Sequence, residues 1–270
     1  MSFYDIIGEI SDKQATKTQT GDTRIYGVVI GVVTKNYDKN MPGRVCVNIP
    51  TRDAEANVLK WARQALPGSG SDWGYYFLPE VGDQVLLAFE GGSIEKPYII
   101  GCLPKDNSKL LSKTVDESNQ FKRIMTKNGS AVIFEDNKEG DGEKDKITVE
   151  TAGQSHQILM DNENKVIRVS DKKKENMVEL STESGQMVIK AKSKLTIQVG
   201  DNIKMIFNGD SGAVQIQAKD FSVQASNSLQ MKTDSTLKLQ GAQINQSASS
   251  MYKAESSGMV TISGSPIKLG

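Results

Sequence analysis

Histidine is almost absent from this sequence: His156 is the only one in 270 residues. A His-rich metal centre is excluded, and any Ser-His-Asp or Cys-His site would have to be built on that one residue. Cysteine is nearly as scarce. Cys46 and Cys102 stand 56 positions apart with no CxxC spacing, so neither a zinc site nor a small disulfide scaffold is indicated, and two buried thiols are expected. An excess of one charge is missing as well. Thirty-three basic residues balance thirty-three acidic ones, so there is no global positive field to hold a phosphate backbone non-specifically. Apolar residues make up only 37% and aromatics 6%, against about 45–50% apolar in ordinary globular domains on a definition that includes Gly. That is a thin supply for two independent cores. No 18 apolar residues run together, and the opening MSFYDIIGEISDKQ carries Asp5 with no long apolar stretch. Synthesis in the cytoplasm without a signal peptide is expected, with any export by another route.

Proline is missing from one long region. Pro42, Pro50, Pro67, Pro79, Pro97 and Pro104 are six of the seven, and none follows until Pro266. Because proline punctuates loops and cannot donate to a sheet ladder, a loop-rich domain should give way near residue 105 to something long and regular. Residues 1–23 read as a polar arm in which Tyr4, Ile6, Ile7 and Ile10 share a face. Five runs rich in β-branched or aromatic residues follow within 24–104: RIYGVVIGVVTKNY, GRVCVNIP, KWARQALP, DQVLLAFEGG and KPYIIGCL. They suit a small closed barrel of the oligonucleotide/oligosaccharide-binding (OB) kind, and an SH3-like barrel fits the same pattern. Residues 105–146 read as a charged linker with one hairpin in FKRIMTKNGSAVIFED, turned at Asn128-Gly129.

From residue 147 to 270 apolar–x–apolar pairs recur: Ile147/Val149, Ile167/Val169, Val178/Leu180, Leu195/Ile197, Met205/Phe207, Val214/Ile216, Phe221/Val223, Leu229/Met231, Leu237/Leu239, Val260/Ile262 and Ile267/Leu269. Late in the chain the interval settles at seven or eight residues, from Val214 through Phe221, Leu229 and Leu237 to Ile244. Two-residue alternation means strand, and the repeat is too short for an ankyrin or propeller unit. Each unit brings two or three core residues and leaves both edges unpaired. Several chains wound together would pair those edges and share one narrow core. A single-chain β-solenoid is the alternative. The charge run Asp171 to Glu175 should be an exposed turn.

The segment from Gly43 to Leu103 resembles the OB domain of contractile-injection spike proteins: VgrG proteins of type VI secretion, baseplate assembly protein V of contractile phages, and spikes of phage-tail-like bacteriocins. The resemblance covers about residues 24–104. The shared series is Gly43 to Val45, Trp61-Ala62-Arg63, Pro67-Gly68, Trp73-Gly74, the run from Phe77 to Glu90, and Pro97 to Gly101. Gly74 and Gly82 occupy turn positions, and Trp61, Trp73 and Phe77 are expected to pack in the barrel core or at its base. The resemblance implies an all-β chain in which an N-terminal OB barrel is followed by a C-terminal intertwined triple-stranded β-helix, a homotrimeric needle.

What the resemblance implies for function is structural. Three copies would form a central spike seated through the OB domain on a separate baseplate hub protein and driven into the target cell envelope when the sheath contracts, in a phage tail, a tail-like particle or a secretion apparatus. Trp73, Tyr75, Tyr76 and Ile94 are the expected trimer or hub contacts. The tip lacks the His-x-His pair that binds iron in some phage spikes, so a PAAR-type tip protein on Pro266, Ile267, Lys268, Leu269 and Gly270 is expected. No cofactor, metal or catalytic residue is implied. An OB module for single-stranded nucleic acid or oligosaccharide on a β-stalk is the rival, with Tyr75, Tyr76 and Tyr98 as stacking groups opposed by Asp72, Glu80 and Asp83. An enzyme would have to use His156 with carboxylates such as Asp141 and Asp145, in a segment that reads as solvated surface.

Overall fold

A computed structural model describes residues 7, 23–51 and 60–268. The expected arm at 1–23 therefore lies outside the described residues apart from Ile7 and Thr23. The chain divides into two units, Met1–Ile197 with Met205–Gln215 and Gln198–Lys204 with Ile216–Gly270.

In the first unit β1 (Val29–Lys35), β2 (Arg44–Asn48), β3 (Lys60–Gln64), β4 (Gln84–Phe89) and β5 (Pro97–Leu103) close into a barrel in the order β1-β2-β3-β5-β4. Each strand falls within one of the five runs picked out by composition. A parallel pairing of β3 with β5 completes the closure, while the other pairings are antiparallel. Register shifts between Val33 and Lys35 and between Leu86 and Leu87 supply the local bending that a small barrel needs. Gly82, at φ +93, turns the chain into β4, and its N–H donates to the Val33 carbonyl at 2.8 Å.

The barrel interior is filled by Val33, Val45, Val47, Ile49, Ala62, Val85, Leu87, Ile94 and Ile99. These aliphatic side chains occupy the space that indoles were expected to take. Trp61 lies half-buried opposite Cys46 across β2–β3, Trp73 is 70% exposed, and Phe77 stacks on Tyr75 at the surface with ring centroids 5.0 Å apart. A five-stranded barrel leaves room for branched aliphatics but little for a bicyclic ring. Only one of the two thiols is buried. Cys46 is, whereas Cys102 sits exposed on β5, its thiol pushed up by partial desolvation and then by the nearby Asp83.

After the barrel comes a single short helix, α1 (Lys109–Thr114), which sequence reading did not anticipate. Ser108 caps it by accepting a hydrogen bond from the Leu110 N–H at 3.2 Å. The expected hairpin follows as β6 (Phe121–Met125) and β7 (Ala131–Glu135), with Gly129 taking the positive φ of the turn at +99. It does not stand apart as a linker. β6 and β7 pair onward with β8 (Lys146–Glu150), β9 (His156–Asp161), β10 (Val166–Asp171), β11 (Met177–Ser181) and β12 (Gln186–Lys190) in one seven-stranded antiparallel meander. The regular β region therefore starts at residue 121 rather than 147. β9 and β12 carry the pairs Ile158/Met160 and Met187/Ile189, which the repeat analysis passed over. Asp171 holds the turn at the predicted charge run, its carboxylate accepting from the N–H groups of Glu175 and Asn176 at 3.0 Å each.

β13 (Lys194–Val199), β14 (Ile203–Asn208) and β15 (Ala213–Gln217) make a three-stranded sheet in sequence order. Beyond β15 the expected strands at Phe221/Val223, Leu229/Met231, Leu237/Leu239 and Val260/Ile262 are not formed within the chain: no strand is present among the described residues after Gln217. Alternation by itself creates no hydrogen-bond partner, and a strand needs an edge to pair with.

Candidate assembly surfaces

The seven-stranded meander has one face that is almost wholly apolar and one that mixes charged with apolar residues. Following the strand registers from β6 to β12, Ile124 stands opposite Val132, then Val149, Ile158, Val169, Val178 and Ile189, an unbroken apolar row across all seven strands. Two residues along on the same face runs a second row, Phe134, Ile147, Met160, Ile167, Leu180 and Met187. Six strand spacings of about 4.8 Å make the stripe roughly 29 Å long. Ordinarily such a face is the packed side of a sheet, but here it is open. Val169 is 50% exposed, and Ile124, Ile158, Ile167 and Ile189 lie between 40% and 52%. A contiguous apolar surface of this extent marks an interaction site.

On the other face Arg168 stands opposite Glu179, with Nε 2.5 Å from Oε2 and both side chains largely covered. At its margin Asp161 is buried to 7% exposure. Burial alone would raise its pKa, but hydrogen bonds from the Asn164 side chain and backbone, with the Lys146 charge, outweigh this and hold the carboxyl below its ordinary value. On this face Arg168, Glu179 and Asp161 find their partners within one chain, whereas Arg123 Nε is buried without one.

Like the apolar face, the segment after β15 is uncovered. Every described residue from Lys219 to Lys268 is exposed, including Phe221 at 67%, Leu229 at 58%, Leu237 at 56% and Ile244 at 55%. These are the residues spaced seven or eight apart. Among the described residues this regular interval carries no strand ladder. Of the expected tip residues, Pro266, Ile267 and Lys268 are exposed, and Leu269 and Gly270 lie outside the described residues.

On the barrel, the connection between β3 and β4 presents Trp73, Tyr75 and Tyr76 at 70%, 42% and 64% exposure. The Trp73 indole lies over Gly70, where a Cβ would come within 2.4 Å of the ring nitrogen, so only glycine admits this arrangement. Ile94, expected beside these residues as a contact, is corrected to a core position. At 2% exposure it packs inside the barrel with Val33, Leu87 and Ile99 and has no surface to offer.

Residues 29–103 match the family model of the type VI secretion system/phage-baseplate injector OB domain. The match runs from the first residue of β1 to the last of β5, and so covers the barrel and nothing else. It supports a structural role in a baseplate or secretion system. No curated protein matches the chain.

The residues an enzyme would have needed are not brought together. His156 opens β9, its Nδ1 3.4 Å from Thr151 Oγ1, whereas Asp145 precedes β8 at the opposite end of the β8–β9 pair. Asp145 accepts the Asn137 N–H at 2.8 Å, and Asp141 takes a turn conformation at φ +50. Both serve the loop that contains them. No helix among the described residues is long and apolar enough to cross a membrane.

The outer barrel surface also carries a polar cluster that sequence reading did not single out. Glu90 accepts hydrogen bonds from Lys96 Nζ and from the Tyr98 hydroxyl, each at 2.7 Å. The Lys96 bond first, then the Tyr98 bond and the Lys96 charge, hold the Glu90 carboxyl below its ordinary range. Tyr98→Phe removes the second of these, so the Glu90 titration midpoint should move up towards the usual carboxylate value, as read by carboxyl NMR against pH. A pKa lowered by folding means that the associated stabilisation is present above the unfolded-state value and lost as pH falls through the folded one. The variant should lose part of that acid-side dependence and leave the neutral-pH fold intact.

Proposed function

We propose that three copies of this chain form the central spike of a contractile tail or injection-system baseplate. The barrels sit on a separate hub protein, and residues 121–270 wind into a needle. The observation that carries this reading is the open apolar face of the meander, continued by a further fifty residues whose apolar positions keep their interval but find no partner in their own chain. Three such faces turned inward give one shared core, and each unpaired edge meets the edge of a neighbouring copy. A continuous hydrogen-bonded prism of this kind resists bending, so the work on sheath contraction is mechanical: the rod is pushed through the target envelope. A PAAR-type protein closes the needle at Pro266 to Gly270. The chain is made in the cytoplasm and leaves as part of the assembled particle, whether phage, bacteriocin or secretion apparatus.

Native mass measurement of the full chain tests the assembly. The expected species has three times the 29.5 kDa of one chain and persists in mild detergent. A 29.5 kDa species in dilute buffer overturns the reading.

A further inference from the structure

The outer face of β2, β3 and β5 places two arginines side by side, neither guanidinium with a hydrogen bond or ion pair among the described residues. Arg44 stands directly opposite Arg63 across β2–β3, and Arg63 stands beside Tyr98 across β3–β5. Opposed side chains on antiparallel strands have Cβ atoms about 4.5–5.5 Å apart, and like charges in that position destabilise the pair. A hollow of about 300 Å³ opens over them, lined also by Trp61, Tyr98, Lys96 and the carboxylates Glu90 and Glu95.

The other charges around this hollow are already engaged. Lys96 Nζ and the Tyr98 hydroxyl are committed to Glu90, and Lys60 Nζ binds Glu95 at 2.6 Å. Among the described residues no hydrogen bond or ion pair reaches either guanidinium. Two guanidinium groups without a hydrogen bond or ion pair among the described residues therefore line one cavity, where the Arg63 charge also acts on the Glu90 carboxylate, in a chain whose total charge is zero. Guanidinium groups present planar forks of N–H donors that match the oxygens of a carboxylate or phosphate.

We propose that this hollow receives a carboxylate side chain from an acidic segment of a partner polypeptide, with Arg44 and Arg63 as its ion-pairing donors and the rings of Trp61 and Tyr98 against its methylene groups. A carboxylate is favoured over a nucleic-acid backbone because Glu90 and Glu95 also line the hollow, and their charges repel a continuous run of phosphates more than a single negative group. Oligonucleotide sites on barrels of this shape combine aromatic platforms with a basic groove that follows the strand. The inference rests on the barrel alone and is independent of the oligomeric state.

The test uses the full chain in a Trp73→Phe background, so that Trp61 is the only tryptophan and its emission reports on the hollow. Hexaglutamate should change that emission saturably, and hexalysine should not. The Arg44→Gln/Arg63→Gln double variant should weaken hexaglutamate binding at least tenfold with an unchanged far-UV spectrum. Arg63→Lys, which keeps charge but loses the fork, should weaken it less. Glu90→Gln removes a lining carboxylate and should tighten binding several-fold, a gain that loss of folding cannot imitate. Absence of saturable hexaglutamate binding, equal binding by the double variant, or tighter binding of a decathymidylate than of hexaglutamate each overturns the proposal.

Discussion

Val169→Asp should convert the assembled species into single 29.5 kDa chains with folded barrels. Val169 lies within the long apolar row, flanked across the strands by Ile158 and Val178. In one chain it is half exposed, so an aspartate there meets water and the meander loses little. In an assembly with the rows turned inward, the same side chain enters a shared core. The change then removes apolar burial worth about 1.5–3 kcal/mol per fully buried valine. It also brings in a carboxylate whose effective desolvation penalty is several kcal/mol. Symmetry repeats both costs in every copy and brings like charges together. Since each 1.4 kcal/mol is a tenfold change in an equilibrium constant, association should fall by many orders of magnitude.

The neighbouring position provides the control. Arg168 is one residue away and on the opposite face, ion-paired to Glu179 within its own chain. Arg168→Gln should leave the mass of the assembly unchanged, because Arg168 is already paired within its own chain. If Arg168→Gln dissociates the complex and Val169→Asp does not, the packed face is the one that carries Arg168 and the inward-facing rows are refuted.

What could be read in advance divides along a physical line. The five barrel strands were legible because each combines a β-branched core, such as Val45 and Val47 in GRVCVNIP, with punctuation by Gly, Pro or Asn at its ends. The hairpin at 121–135 was legible from Asn128-Gly129, but its membership of the meander was not, since pairing of β7 with β8 is decided across a charged loop that carries no apolar pattern. β9 was missed because Ile158 and Met160 are separated by a single leucine, Leu159, which hides the alternation in an apolar run. Beyond Gln217 the situation is reversed. The strand pattern is plain in the sequence and no strand forms in the single chain, because alternation records which face is to be buried and says nothing about which backbone will supply the hydrogen bonds. Ile94 was misplaced for a related reason. In EGGSIEK it looks like a loop residue among polar neighbours, yet the tight turn at Glu90–Gly92 returns the chain so that this one side chain drops into the barrel. The Arg44–Arg63 pair was invisible in sequence because it depends on the β2–β3 register, in which positions nineteen apart become opposite neighbours.

Leu87→Ala should lower the unfolding midpoint of the barrel by roughly 12–24 °C. Leu87 is fully buried in a core that has nine buried residues among those described, and its Cδ1 fits against Gly31 so closely that a Cβ there would lie 2.7 Å away. Truncation removes transfer free energy and leaves a cavity, together costing about 2–5 kcal/mol at such sites. Relaxation is restricted here. The strand facing Leu87 carries Gly31, which has no side chain to move into the gap, and closure through β3–β5 prevents neighbouring strands from sliding inward. A cost near the middle of that range, about 3 kcal/mol, corresponds to the stated shift at about 4–8 °C per kcal/mol for a domain of this size. A barrel of about 75 residues has a total stability on the order of 4–11 kcal/mol, so the variant spends a large part of it. The meander and the residues beyond it contain none of this core. Calorimetry should therefore show the barrel transition moving down while any later transition from residues 121–270 stays in place. Movement of both together would mean that barrel and needle unfold as one cooperative unit.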